Sequence, residues 1–310
     1  MYKRFLLLSH VIYGILPNFM IPKHPIMNIA ISGSGGFVGK KLSASLIGAR
    51  HEVLAIPRHW FSLDHSTLAD NLKGAECVIH LAGAPILRRW TKSNRKAIYD
   101  SRINTTQQLT RAMAQMKDPP HTFICASAVG IYPETGVHDE NSRERASDFL
   151  GEVCTDWELA ASRVPSSCRQ LSFRFGVILG NNGGALGQML LPFKLGLGGR
   201  ISHGKQMMPW IHMDDVTGIF QFVLDNSAIK GPVNITTPNP VSNLAFTRTL
   251  AKTLKRPAFM PVPEWALKLA FGQGATVLTR GQTVVPGTLT KAGYPFRFHE
   301  LEAALWDLIK

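Results

Sequence analysis

The sequence predicts an α/β fold: a doubly wound parallel sheet with helices on both faces, followed by a small C-terminal α/β lobe. Three observations predict it. Short apolar runs alternate with helical segments up to about Gly180 of the 310 residues, and those runs are too uniformly apolar for a sheet wetted on one face. A glycine-spaced turn directly follows the first run and opens a helix. Beyond Gly180 the texture changes to NNGGALGQMLLPFKLGLGGRISHGKQMMPWIHMDD, rich in Gly, Pro and Met, which suits the loops and short helices of a second lobe.

Composition narrows the function classes. With 45% hydrophobic and 18% charged residues the chain is globular, and it lacks the several apolar runs of about 20 residues that a multi-span membrane protein needs. Lys and Arg number 34 against 21 acids, a formal charge of +13, yet no run of five cations occurs. A basic surface that favours anionic small molecules is therefore expected, with no nucleic-acid partner. Cys77, Cys125, Cys154 and Cys168 form no CxxC pair and read as reduced core thiols of a cytoplasmic protein.

The elements follow in order. Residues 1–26 begin basic and carry a short apolar stretch, broken by Ser9 and His10 and too short to span a bilayer. They read as a non-conforming extension to a domain that starts at Met27; a membrane-associated tail is the competing reading, and no other membrane partner is expected. Strands are predicted in NIAISG (Asn28 to Gly33), HEVLAIP, CVIHLAG, TFICASA and RQLSFRFGVILG. Helices fall at Lys40 to Ile47, Leu68 to Leu72, Lys92 to Met116 and Asp148 to Ser162, with Gly48 as a C-cap. Residues 27–180 form the first domain, its sheet completed by later segments, and residues 181–310 form the second lobe. That lobe carries helices near 215–224, 243–254, 264–271 and 300–310, the second capped by Ser242.

The turn ISGSGGFVGKKL carries the first chemistry. Gly33 permits a tight turn, Gly36 lets the backbone approach a pyrophosphate, and Gly39 lets the helix lie close to the sheet, whose N-terminus then offers N–H groups to phosphates. Ser34, Phe37 and Val38 complete this set of candidate contacts. Where an NAD-selective fold places an Asp or Glu at the end of strand two, this chain reads AIPRHW. Arg58 there would pair with a 2′-phosphate, so the expected cofactor is NADP(H); a solvated surface arginine is the plain alternative.

The Gly-x-x-Gly-x-x-Gly spacing resembles the extended, epimerase-like branch of the short-chain dehydrogenase/reductase superfamily. HLAGAP (His80 to Pro85) and ASA (Ala126 to Ala128) extend the likeness. With RRW, SRINTTQ, EVCTDWE, LPFKLGLGG and PWIHMDD, the chain from Met27 to Lys310 resembles an atypical nucleotide-sugar-epimerase-like family whose C-terminal domain has no assigned function. The resemblance implies a Rossmann-type fold and further cofactor contacts at Leu81, Ala82, Gly83, Arg102, Ala126 and Val177.

It also exposes a gap. The superfamily uses a tyrosine as acid/base and a lysine four residues on, but alignment on Glu158 puts Leu150 and Cys154 at those positions. No Tyr-x-x-x-Lys occurs between Ser127 and Arg174. Candidate substitutes are Ser127 beside the nicotinamide position, Tyr132 in the following loop and His212 in WIHMDD. For each, a structural role competes: a loop hydroxyl, a packing aromatic and a hydrogen-bonded histidine. No metal site is expected, since His51, His59 and His65 lack ligand spacing and Asp214 and Asp215 suit a helix start. Arg88, Arg89, Lys194 and Arg200 either line an anionic substrate pocket or form a solvated face. Two functions remain open: an NADP(H)-dependent oxidoreductase of unknown substrate, and a non-catalytic NADP(H)-sensing module.

Overall fold

The computed structural model describes residues 25–181 and 183–310, so the extension expected at residues 1–26 falls, up to His24, outside the described residues. Six parallel strands form the main sheet: β1 (Asn28–Ser32), β2 (Glu52–Ile56), β3 (Cys77–His80), β4 (Thr122–Ala128), β5 (Arg169–Phe175) and β6 (Gly231–Ile235). Their order is β6-β5-β4-β3-β1-β2. Because side chains alternate along a strand, Ile29 and Ile31 serve one face and Ala30 the other. On the first face α1 (Phe37–Gly48) packs with α6 (Met213–Asp225), burying Leu42, Leu46, Ile219 and Phe220 against Ile31 and Phe173. On the second, α2 (His65–Asn71), α3 (Lys92–Gln115) and α4 (Phe149–Ala161) bury Leu68, Leu109, Met113 and Trp157 against Val78 and Phe123. Burial on both faces is why these strands read as unbroken apolar runs.

Two elements depart from the sequence reading, the run at Gly176 and the Gly-rich stretch. The run RQLSFRFGVILG is one predicted strand but splits at Gly176, where a Cβ would lie 2.3 Å from the Pro209 carbonyl oxygen. Val177–Leu179 leaves the main sheet and pairs with Trp210–His212. The sixth strand, GPVNI, comes from beyond Gly180; Pro232 is tolerated because β6 is an edge strand. The Gly-rich stretch, read as loops and short helices, yields the eleven-residue α5 (Gly184–Lys194), since burial of Leu186 and Phe193 in the second lobe outweighs the weak local propensity.

The second lobe gathers α5, α7 (Asn243–Leu254) and a terminal helix Leu301–Ile309 around Trp210, Phe246, Leu250 and Leu305, while α8 (Glu264–Phe271) buries Leu267. Ser242 caps α7, accepting from the Ala245 N–H at 3.2 Å. Asp215 ties the lobes together: its carboxylate accepts from the Arg297 and Phe298 N–H groups at 2.8 and 2.9 Å.

Candidate functional site

Strand order places the site. From β1 the chain runs outward to β2 and then crosses back to β3 on the other side of β1, so a crevice opens at the carboxyl ends of β1 and β3. The glycine turn sits there. Gly33 has φ of +73°, and a Cβ on it would lie 2.9 Å from the Ala82 nitrogen; a Cβ on Gly39 would lie 2.1 Å from the Gly33 carbonyl oxygen. Both positions therefore exclude a side chain, and the turn closes with the Gly36 N–H donating to Gly33 at 2.9 Å. Gly36 is the N-cap of α1 and supplies no side chain, which leaves the N–H groups of Phe37, Val38 and Gly39 without a side-chain partner. Ser34 is half-buried beside them. The Phe37 ring lies across Gly180, Gly183 and Gly184, joining α1 to the start of the second lobe.

Arg58 follows β2, whose Ile56 is paired with Ser32 at the end of β1. It is exposed, and its guanidinium has no hydrogen bond or ion pair among the described residues. Behind the turn, His80 is fully buried between the Ser32 and Thr105 hydroxyls. Thr105 gives its own proton to the Ser101 carbonyl at 2.8 Å, so His80 carries its proton on Nε2 and accepts from Ser32 at Nδ1. Burial, with the Arg102 charge nearby, lowers its pKa to about 3.

Two cations line the cleft among the described residues, Arg102 and Arg280, and Arg280 is paired with Glu134 and Asp148. Arg102 donates from Nη1 to the Ile98 carbonyl at 3.1 Å, its Cζ lies 5.2 Å from the Trp157 ring, and it lies so close over Gly83 that a Cβ there would be 3.1 Å from Cζ. Among the described residues no carboxylate pairs with Arg102, and burial pulls its pKa down. The crevice continues into a cleft of about 530 Å³. One wall carries Ala126, Ser127, Leu150, Cys154 and Val177; the other, from the second lobe, carries Met189, Ile201, Met208 and Leu278. Leu81 lies at the β3 end, its N–H bonded to the Ser32 carbonyl.

Ser127 reaches the cleft wall, but its hydroxyl donates to Glu158 Oε1 at 2.8 Å. Glu158 in turn receives both the Nε and Nη2 of Arg174 at 2.7 Å. Arg174 Nη1 donates to the Tyr132 hydroxyl at 2.6 Å, which donates to Asn234 Oδ1 at 2.9 Å. The geometry places two candidate site residues outside the cleft lining, in the structural roles that competed for them. Tyr132 is fully buried, stacked on His138 at 5.2 Å, and lies beneath the cleft rather than in it; the turn Val129–Ile131 carries it down toward β6. Its pKa is raised by burial. His212 is the N-cap of α6: Nδ1 accepts the Asp214 N–H at 3.1 Å and the ring packs on Phe298 at 3.9 Å. Its Nε2 faces Asp307 at 3.4 Å, and burial lowers its pKa. Neither side chain lines the cleft.

Leu150 and Cys154 do line it, where the resemblance implies a tyrosine and a lysine. Burial pushes the Cys154 thiol up to about 12, so it stays protonated. Arg88, Arg89, Lys194 and Arg200 lie outside the cleft; Arg89 Nη1, for example, donates to the Leu269 carbonyl at 3.2 Å on the outer surface. The reading of the sequence missed the Glu158–Arg174 pair under Ser127. The signal was Arg174 itself, a lone charge inside the apolar strand SFRFG, which must find a buried partner.

Residues 29–236 match the NAD dependent epimerase/dehydratase family. The chain belongs to that family. Residues 262–308 match a domain of unknown function, DUF1731, which accounts for most of the second lobe after α7. Among family members, the mouse epimerase family protein SDR39U1 is 38% identical, covering 91% of this chain and 100% of its own length. Epimerase family protein YfhF of Bacillus subtilis (strain 168) is 35% identical over 91% of this chain and 98% of its own. The crystal structure of human epimerase family protein SDR39U1 (isoform 2) with NADPH superposes with a TM-score of 0.85 at 36% identity, covering 91% of this chain and 99% of that one.

Proposed function

We propose that the chain binds NADP(H) across the carboxyl ends of its strands and acts as an oxidoreductase on an apolar small molecule with a reducible carbonyl or conjugated double bond. Arg102 carries this reading: a half-buried cation without a counter-charge, aimed into a crevice whose glycines leave room for a ligand's phosphates. The residues fit a dinucleotide. Phe37 and Val38 N–H groups with Arg102 would hold its anionic linker, and Arg58 a 2′-phosphate. Its human relative was crystallised with NADPH. Bound there, the dinucleotide would supply or accept a hydride.

The protein's own part is positioning. Ser127, with its proton committed to Glu158, presents oxygen lone pairs to the cleft and so accepts a hydrogen bond instead of giving a proton. Leu150 and the protonated Cys154 add no acid, so the proton that accompanies hydride comes from solvent. The methionine and leucine side chains of the opposite wall suit an apolar partner better than a polyhydroxylated sugar. A sensing role is the second reading, favoured by the same Ser127 geometry, because binding survives without an acid.

The test is calorimetry with NADPH followed by deuteride transfer from 4-deuterated NADPH to apolar ketones, enones and nucleotide sugars, read by mass spectrometry. Tight binding with slow transfer to apolar acceptors is expected. Tight binding without transfer to any acceptor selects the sensing role, and absence of binding removes both.

A further inference from the structure

A solitary exposed apolar side chain is ordinary, but the second lobe presents a group of them on segments that are bonded together. Leu191 and Leu195 lie at the end of α5, Phe259 and Met260 on the strip before α8, and Trp265 and Leu269 one helical turn apart on α8, each between 46 and 73% exposed. The strip after α5 runs alongside the strip before α8: Met260 N–H donates to the Gly198 carbonyl at 3.3 Å and Val262 N–H to Arg200 at 2.9 Å. Beyond α8, Arg89 reaches back to the Leu269 carbonyl at 3.2 Å.

The segments that carry these side chains are strongly basic. Segments 86–100, 186–205 and 255–272 carry eleven Lys and Arg against two acids, Asp100 and Glu264, a net of +9 where the whole chain has a net of +13. Both acids are paired with lysines, Lys96 and Lys268. Spread along the chain these cations form no run; the bonds Met260–Gly198, Val262–Arg200 and Arg89–Leu269 bring the three segments that carry them side by side.

We propose that this face docks on an anionic lipid bilayer. Tryptophan, phenylalanine and leucine surrounded by Lys and Arg suit the headgroup boundary, where apolar side chains enter the acyl region and cations meet anionic headgroups. A second copy of this chain would bring the same positive charge against itself, and a nucleic acid leaves Leu191, Leu195 and Leu269 without a partner. Among the described residues no helix is long and apolar enough to cross a membrane, so the contact is peripheral. The face is continuous with the cleft: α5 turns Met189 inward and Leu191 outward, and Leu87 lines the cleft next to Arg88 and Arg89. An apolar substrate, on the proposed oxidoreductase reading, would pass from bilayer to cleft along this edge; the docking itself does not depend on that reading.

The test is flotation of the full chain, without cofactor, on vesicles of phosphatidylcholine alone and of an equimolar mixture with phosphatidylglycerol. Binding is expected on the mixed vesicles and is expected to weaken with salt. Trp265→Ala/Leu269→Ala and Lys194→Glu/Arg200→Glu should each lower the bound fraction about tenfold while NADPH affinity, the control for folding, stays at the wild-type value. All four side chains are exposed, so at least one variant will retain the fold. Equal binding by wild type and both variants, preference for an RNA oligonucleotide over the vesicles, or self-association that buries Trp265 would overturn the proposal.

Discussion

Replacing Arg102 by methionine should move affinity and stability independently, and the structure sets the size of each. Methionine keeps an unbranched stem beside Trp157 and removes the charge. In the unliganded protein the substitution loses one hydrogen bond to the Ile98 carbonyl and a cation–π contact at 5.2 Å, each worth about 0.5–1.5 kcal/mol. Against this it removes a buried charge that no carboxylate offsets, a desolvation cost of the same order. The two nearly cancel, so unfolding free energy should change by no more than about 1 kcal/mol, or roughly 2–4 °C in Tm. In the complex the variant lacks a charge-assisted contact to the dinucleotide, about 1.5–3 kcal/mol, which raises the NADPH Kd roughly tenfold to 150-fold. Calorimetry gives the affinity and thermal melts without ligand give the stability. An NADPH affinity within twofold of wild type, or a loss of more than about 3 kcal/mol in the unliganded protein, would show that Arg102 is a structural strut and refute the argument.

Arg58→Ala should weaken NADPH roughly tenfold to a hundredfold and leave NADH almost unchanged, since only NADPH carries the 2′-phosphate; equal losses measured by calorimetry would end the selectivity argument. Tyr132→Phe should cost about 1–3 kcal/mol in urea unfolding by leaving Arg174 and Asn234 short of a partner, with NADPH affinity intact; a drop in affinity instead would return Tyr132 to the cleft. His80 titrates near pH 3 when folded against its ordinary 6.5, so the unfolded chain binds the extra proton and stability falls as pH drops below about 6.5. Between pH 6.5 and 5 this histidine should account for about 2 kcal/mol of that fall, measured as the difference in slope between wild type and His80→Gln; identical slopes would mean that His80 is not held neutral.

The strands and most helices were legible because burial on both faces leaves an unmistakable apolar record, and TFICASA is a strand over the whole of its predicted length. The break at Gly176 was not, because its cause is the Pro209 carbonyl, a neighbour in space that no local pattern reports. For Tyr132 and His212 the sequence leaves the catalytic and structural roles undivided for a related reason. Distance along the chain from Ser127 says nothing about direction, and the short turn Val129–Ile131 points Tyr132 under the sheet. His212 had a local signal, its place directly before Met213 and the two acids of a helix start, which is the position of a cap. The basic face was hidden because its cations come from segments far apart in sequence.

The altered catalytic positions and Arg102 belong to one electrostatic arrangement. Cys154 and Arg102 both line the cleft with Ser127, and the neutral Cys154 thiol places no charge beside the guanidinium. A lysine at 154, as the resemblance implies for a working dyad, would set a second ammonium against an already half-buried guanidinium that no acid offsets, so each cation would raise the cost of the other. Cysteine at 154 relieves that repulsion, and with the lysine gone a tyrosine at 150 would lose the charge that lowers its pKa, so leucine there sacrifices little. Ser127 fits the same logic: with no tyrosine to share its proton, its hydroxyl turns to Glu158, whose charge Arg174 fixes from behind. On the proposed reading such a site would hold an anionic cofactor with Arg102 and leave proton transfer to the solvent, so substitutions there should change affinity more than turnover.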